Sequence, residues 1–368
     1  MFKRSNLGVL LICLTCIFVS NCHNNVNNSV LTLNASEVFN NSIQISGEHL
    51  KEKYITSYSF KCFFTQDGFL GAMPLQNKKN VHLSDLNSGE IISSTITKGR
   101  GPGEILTSLP YISYCNKSLY VCDIATNRIK KVISNVDTLI TNDYCSINYS
   151  NPTITAGMEA VSDSLFAIFG YSRTHHAIYL VDNKGNITDS ITYSILNDFK
   201  IINSQVDPFY VSMRYSPAMN ILYIINKTYN HIRAYRIKHK KIHLISEYAL
   251  TQPMYKVKSG KPIQMKNNLT LWGELFVGEK YIYLVANPEL RSDFEKRRDD
   301  AYSQGSTFTA LPGKDSYILV FDNDLNLLKS YLCDSHFTWI ALTDNSSVVY
   351  ASDKRNHCLT KYILEGLD

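Results

Sequence analysis

Tryptophan is nearly missing from this 368-residue chain, with two copies, and charged residues make up only 19% of it. With 44% of residues hydrophobic, so little charge excludes a wholly disordered, solvated chain. After the first twenty residues no run approaches the ~20 apolar residues of a membrane-spanning helix. Beyond Cys22 there is no Cys-x-x-Cys, which removes a zinc ribbon or a thiol redox motif. Neither a Gly-x-Ser-x-Gly elbow nor a His-Glu-x-x-His helix occurs. The formal charge is +5, and taking away Lys3 and Arg4 leaves +3. That balance is weak and its basic residues are scattered, so nucleic acid is not an expected partner. Tyrosine, by contrast, is plentiful at 24 copies. Many tyrosines among Ile, Val and Thr favour half-buried strands over helices.

The N-terminus reads as an export signal. Lys3 and Arg4 form a positive region, and Leu7 to Phe18 form an apolar stretch too short to span a bilayer. Val19-Ser20-Asn21-Cys22 follows and resembles a lipobox, in which the cysteine receives lipid and becomes the mature N-terminus. Asn21 departs from the usual Gly, Ala or Ser. Cys16 is a second candidate, and an ordinary secretory signal is the alternative. The expected division is a lipoprotein signal over 1–21, a flexible tether over 22–36 and one domain over 37–368. Six cysteines remain in that domain: Cys62, Cys115, Cys122, Cys145, Cys333 and Cys358. Disulfides are permitted, but the scatter suits small buried thiols better.

Two hairpin types recur along the domain. Leu119–Ile129, Leu222–Ile232 and Val349–Leu359 each run apolar strand, Asx (Asp123, Asn226, Asp353), polar turn, second strand. The Asx side chain bonds its own backbone and fixes the turn. This pattern resembles degenerate NHL-type propeller repeats. A second type places Asp85, Asp182 and Asp322 between apolar strands. Together they mark six units near 60–97, 105–150, 152–203, 205–255, 268–335 and 336–366, about 50 residues each, as four-stranded blades require. The last unit looks short, so a strand near Val38–Ile45 is expected to complete it. Pro288 to Tyr302 is charged nearly all round and reads as an exposed helical insertion in blade five. The expected fold is an all-β, six-bladed β-propeller, which leaves few open strand edges.

Lys98-Gly99-Arg100-Gly101-Pro102-Gly103-Glu104 is the sharpest local motif. Its glycines permit positive φ and close backbone approach. It can be an anion nest with Lys98 and Arg100 adding charge, or a tight inter-blade turn held by Arg100 and Glu104. Glu104 stands where a dinucleotide fingerprint needs glycine, and no P-loop ending follows. The lipobox, Asn-rich tether, this loop and the Asp-turn blades together resemble the TolB-like six-bladed propeller lipoproteins of Bacteroidota. That resemblance implies the fold and an envelope location, and carries over no reaction.

Asp322-Asn-Asp324 begins like a calcium loop but lacks the glycine and terminal glutamate, so a hairpin turn is expected there. His175 and His176 are adjacent on a strand and point to opposite faces. Trp272 and Trp339 are expected to pack between blades. Two functions stay open. One is a non-catalytic binding or scaffolding propeller, monomeric, without cofactor, meeting an envelope protein or glycan and a membrane through its lipid. The other is a lactonase-like hydrolase with a divalent cation such as calcium in the central channel, for which Asp123, Asn226 and Asp353 are the candidates. No acidic run follows Cys22, so an outer-membrane lipoprotein with the propeller in the periplasm is the expected location.

Overall fold

The computed structural model describes residues 31–32, 35–50, 61–65, 68–72, 79–84, 91–101, 103–107, 111–135, 138–172, 176–193, 211–227, 230–250, 255–258, 261–271, 273–306, 315–343, 347–353 and 358–367. The signal segment, Cys22, Asp85, Pro102, His175 and Trp272 lie outside them. Residues 31–368 form one compact unit. Its core is six sheets of four or five strands, spanning 61–97, 111–146, 154–192, 211–249, 274–333 and 340–363. Within these spans the strands of each sheet pair antiparallel in sequence order, and each span falls inside the unit expected from the repeats. Parallel edge strands from Leu31–Thr32 and Ile43–Ile45 are added to the fourth and fifth sheets. The first strand of one sheet abuts the first strand of a neighbour for blades two to five and for blades six and one. These first strands line the inside of a ring, which is a six-bladed β-propeller.

The alternation within each strand explains the packing. In blade three, Phe166 and Ile168 join the buried layer shared with blade two, while Leu165, Ala167 and Phe169 join the layer shared with blade four. In blade five, Ile282, Leu284 and Ala286 face blade four, and Tyr283 and Val285 face blade six. Both faces of a middle blade are therefore dry, so its strands read as near-continuous apolar runs. Each large side chain buried this way contributes about 1.5–3 kcal/mol. The tyrosine richness has the same origin. Tyr120, Tyr223, Tyr331 and Tyr362 are fully buried rings whose hydroxyls still reach a polar group. Tyr120 donates to Asp163 Oδ1 at 2.8 Å, Tyr223 to the Asn323 carbonyl at 3.1 Å and Tyr331 to the Glu365 carbonyl at 2.7 Å. Phenylalanine would fill the space but leave those acceptors unmet.

Closure differs from the expected strand at Val38–Ile45. Ala35–Asn40 is a short helix, and Ile43–Ile45 adds a parallel strand to the outer edge of blade five. The strand that completes blade six is Glu48–His49, paired antiparallel with Thr360 and Lys361. Its two residues follow Gly47, whose amide donates to Asp334 at 3.2 Å. Three residues of alternation cannot say which of two adjacent blade edges a strand will join. The expected helix in blade five runs Arg291–Ser303, anchored by the buried ring of Phe294 beneath Arg291 and Arg297.

The Asx turns at Asp182 and Asp322 take the expected form, as does that at Asp123, which accepts the Ala125 amide at 3.2 Å; Asp85 lies outside the described residues. Asp182 Oδ1 accepts the amides of Lys184 and Asn186, each at 2.9 Å. Asp322 does the same for Asp324 and Asn326 at 2.9 and 2.8 Å. The Asp322 segment is thus a hairpin turn. Cys115, Cys122, Cys145, Cys333 and Cys358 are free thiols. Burial pushes the Cys145 thiol up to about 11 and raises those of Cys122 and Cys333 as well. These three stay protonated at neutral pH and are not nucleophiles.

Candidate functional site

The inner strands carry charges where an apolar run would be expected. Glu159 lies on the first strand of blade three, Arg214 on that of blade four and Glu274 on that of blade five. Arg214 joins them, with Nη1 3.3 Å from Glu159 Oε1 and Nη2 3.2 Å from Glu274 Oε1. Ser113, from blade two, donates to Glu159 Oε2 at 2.9 Å and accepts the Ala160 amide at 2.9 Å. Ser212 donates to Glu274 Oε1 at 2.5 Å, and Lys227 pairs with the other oxygen. The guanidinium also sits 5.3 Å from the Phe276 ring and 5.5 Å from that of Trp339, which leads into blade six. One network therefore ties five blades together across the ring.

Its electrostatics are self-contained. Glu159 and Glu274 are 8% and 5% exposed, and two carboxylates face two cations. Burial alone would raise the Glu274 carboxyl, but Lys227 and Arg214 outweigh it and hold the group below the ordinary range. Such a buried array is satisfied only as a whole, since removing one partner strands the others in a dry interior. A second buried group lies farther out on blade four. Arg233 Nε is 3.0 Å from Glu247 and its guanidinium is 5.0 Å from the Tyr193 ring. Burial first, and Arg233 second, lower His231 to about 4, so its imidazole is neutral at physiological pH.

Between blades two and three the surface opens into a pocket of about 690 Å³ lined by Asn127, Ile147, Tyr149–Ile154, Tyr171 and Ser172. Ile154 and Tyr171 are paired across the first two strands of blade three and form one wall. Asn127, from the blade-two turn, has positive φ (52°), which Asn tolerates well. Its amide oxygen accepts from Thr155 at 3.1 Å, holding the opposite wall. Tyr149 donates or accepts at Thr155 Oγ1 at 2.8 Å and packs edge-on against Tyr179. Among the described residues, rings, amides and hydroxyls line this pocket, and no carboxylate, imidazole or cation is among them.

The residues singled out in the sequence fall elsewhere. Asp123, Asn226 and Asp353 end the second strands of blades two, four and six, one strand out from the inner layer. Asp123 is 2% exposed and is consumed by structure. Its oxygens accept the amides of Leu106, Thr107 and Ala125 at 3.1, 3.2 and 3.2 Å and the Thr126 hydroxyl at 2.9 Å. It thereby fastens the segment that follows the glycine loop. Asn226 is fully buried, and the neighbouring Lys227 reaches the central network at Glu274. Asp353 lies with His49 and Cys358 at the ring closure. In the glycine loop, Glu104 Oε2 accepts the Gly101 amide at 2.6 Å, and the amides of Gly99 and Ile105 bond the carbonyls of Ile105 and Thr97. Gly103 has φ 79°, and a Cβ on Gly99 would stand 2.0 Å from Glu104. Lys98 and Arg100 are exposed. Repeat logic missed the central network because Ser113, Glu159, Arg214 and Glu274 do not share one repeat position. Its only trace is a lone charge inside an apolar strand.

The sequence profile of the TolB-like 6-blade propeller-like family matches residues 38–345. The chain belongs to that family. Among solved structures, this TolB-like propeller is similar to a member of the DUF4221 family from Bacteroides vulgatus. Identity is 13%, coverage is 88% of this chain and 96% of that one, and the TM-score is 0.50. It is also similar to a putative exported protein from Bacteroides fragilis, at 10% identity, covering 91% and 98%, with TM-score 0.51. At such identities the likeness speaks for the fold alone. No curated protein matches the chain.

Proposed function

We propose that this TolB-like propeller is an envelope lipoprotein of a Bacteroidota bacterium, tethered through Cys22, whose propeller binds a glycan without catalysing a reaction. The observation that carries the binding reading is the neutral lining of the pocket at Tyr149–Ile154 and Tyr171. Aromatic faces beside amides and hydroxyls suit the alternating C–H and O–H surfaces of a sugar. Hydrolysis would need an acid, a base or a cation, and none is among the described residues of the lining. The lactonase-like alternative needs carboxylates open to a cation on the axis, whereas Arg214 and Lys227 occupy Glu159 and Glu274. The Lys3–Cys22 segment supports the tether, and the absence of an acidic run after Cys22 favours a periplasmic placement.

The test is a screen of neutral oligosaccharides against the protein and its Tyr171→Ala variant. Binding is expected to fall by roughly tenfold in the variant, as loss of one stacking ring implies. Because Tyr171 also packs against the core shared by blades three and four, circular dichroism checks that the variant is folded. Capture of a protein but no saccharide would sink the glycan reading. Arg100→Ala should change neither property, because the loop's own hydrogen bonds run through Glu104. Metabolic labelling with a fatty-acid analogue should mark the wild type and not Cys22→Ala.

A further inference from the structure

We infer that His49, Asp353 and Cys358 form a binding site for a zinc-class divalent ion at the seam where the ring closes. Their donor atoms lie within 4.8 Å of one another, the single such group among the described residues. Cys358 Sγ is 3.4 Å from His49 Nδ1. Tetrahedral zinc, with bonds of about 2.0–2.3 Å, sets its donors about 3.3–3.8 Å apart. Small side-chain adjustments therefore suffice.

The repeat explains how the donors meet. Asp123 pairs across its hairpin with Arg128, Asn226 with His231, and Asp353 with Cys358. Only blade six puts a thiol at this ladder position. There the N-terminal segment supplies an antiparallel outer strand, whereas it adds parallel strands to blades four and five, and this brings His49 opposite Thr360. His49 Nδ1 lies 3.1 Å from Thr360 Oγ1, which helps set the ring's orientation. Asp353 and Cys358 are 0% and 3% exposed, while His49 is exposed and offers an entry path. A thiolate and a carboxylate would neutralise a dication, removing the charge that makes a buried ion costly. Thiolate, imidazole and carboxylate together select zinc over calcium or magnesium, which prefer oxygen donors alone. Binding releases the Cys358 proton to solvent, so affinity falls as pH falls. The ion would clamp a closing strand of two residues to the last blade. This site is independent of the glycan pocket.

The full-length protein, stripped by a chelator, is titrated with cobalt(II) and then zinc(II). One ion per chain is expected, with a thiolate-to-cobalt charge-transfer band, displacement by zinc and a higher melting temperature with zinc. Cys358→Ser should abolish the band. His49→Ala, at an exposed position that folding tolerates, should weaken zinc binding by roughly tenfold or more and remove the thermal gain. Failure to bind either ion, or binding and band unchanged in His49→Ala, overturns the inference.

Discussion

Blades four and five and the closing seam of blade six join in opposite ways. Between blades four and five lies a continuous apolar layer, with Tyr223, Ile225 and Ile232 on one side and Leu275, Leu284 and Phe321 on the other. The Asn230 side chain stitches its rim, donating to the Leu269 carbonyl at 2.6 Å and accepting the Leu271 amide at 3.1 Å. At the seam, Glu48–His49 contributes two exposed residues, tied by the Leu50 amide to the Leu359 carbonyl at 2.8 Å and by Gly47 to Asp334. Blades adjacent in sequence are held by buried area, and the seam by short polar contacts. Polar chemistry gathers at the seam because a two-residue strand cannot bury enough apolar surface to hold by area alone.

The largest expected effect tests the central network beside that apolar layer. Arg214→Met leaves Glu159 and Glu274 buried without their shared partner and should cost about 3–5 kcal/mol by denaturant titration. A loss below 1 kcal/mol would mean that the apolar layer alone holds these blades. The same network sets a pH dependence. The folded Glu274 carboxyl is held low, so its contribution is complete above the ordinary carboxylate range and lost as pH falls through the lower folded value. Acid unfolding of wild type should therefore be steeper than that of Glu274→Gln.

A smaller effect is expected at the rim. Asn230→Ala leaves the Leu271 amide, buried between two blades, without its acceptor and should cost about 1–3 kcal/mol. At the seam, Asp334→Ala removes contacts to the Gly47 amide and the Tyr362 hydroxyl, the latter at 2.9 Å. With the Gly47 contact exposed, a loss of about 1 kcal/mol is expected, alongside faster hydrogen exchange confined to 47–50. Equal costs for these two variants would erase the distinction between the junctions.

Much of this protein was legible in order along the chain. The six blades, the Asp182 and Asp322 turns, the helix over Arg291–Ser303 and the need for an N-terminal strand all follow from periodicity and turn chemistry, which are local. Asp123 was recognised as a recurring turn residue, yet its hold on Leu106 and Thr107, 17 and 16 residues earlier, depends on how the segment leading into blade two folds back over it. Glu159, Arg214 and Glu274 are 55 to 60 residues apart from one to the next, and no pattern in the chain joins them.

What the sequence determined by itself is the repeating unit: alternating apolar strands closed by Asx turns. Tertiary structure alone decided which charges meet inside the ring, which tyrosines line a pocket and which residue stands beside Cys358. The reason is physical. Strand and turn preferences act over a few residues, whereas a site on a propeller is assembled from equivalent strands of different blades, whose meeting depends on how the ring closes.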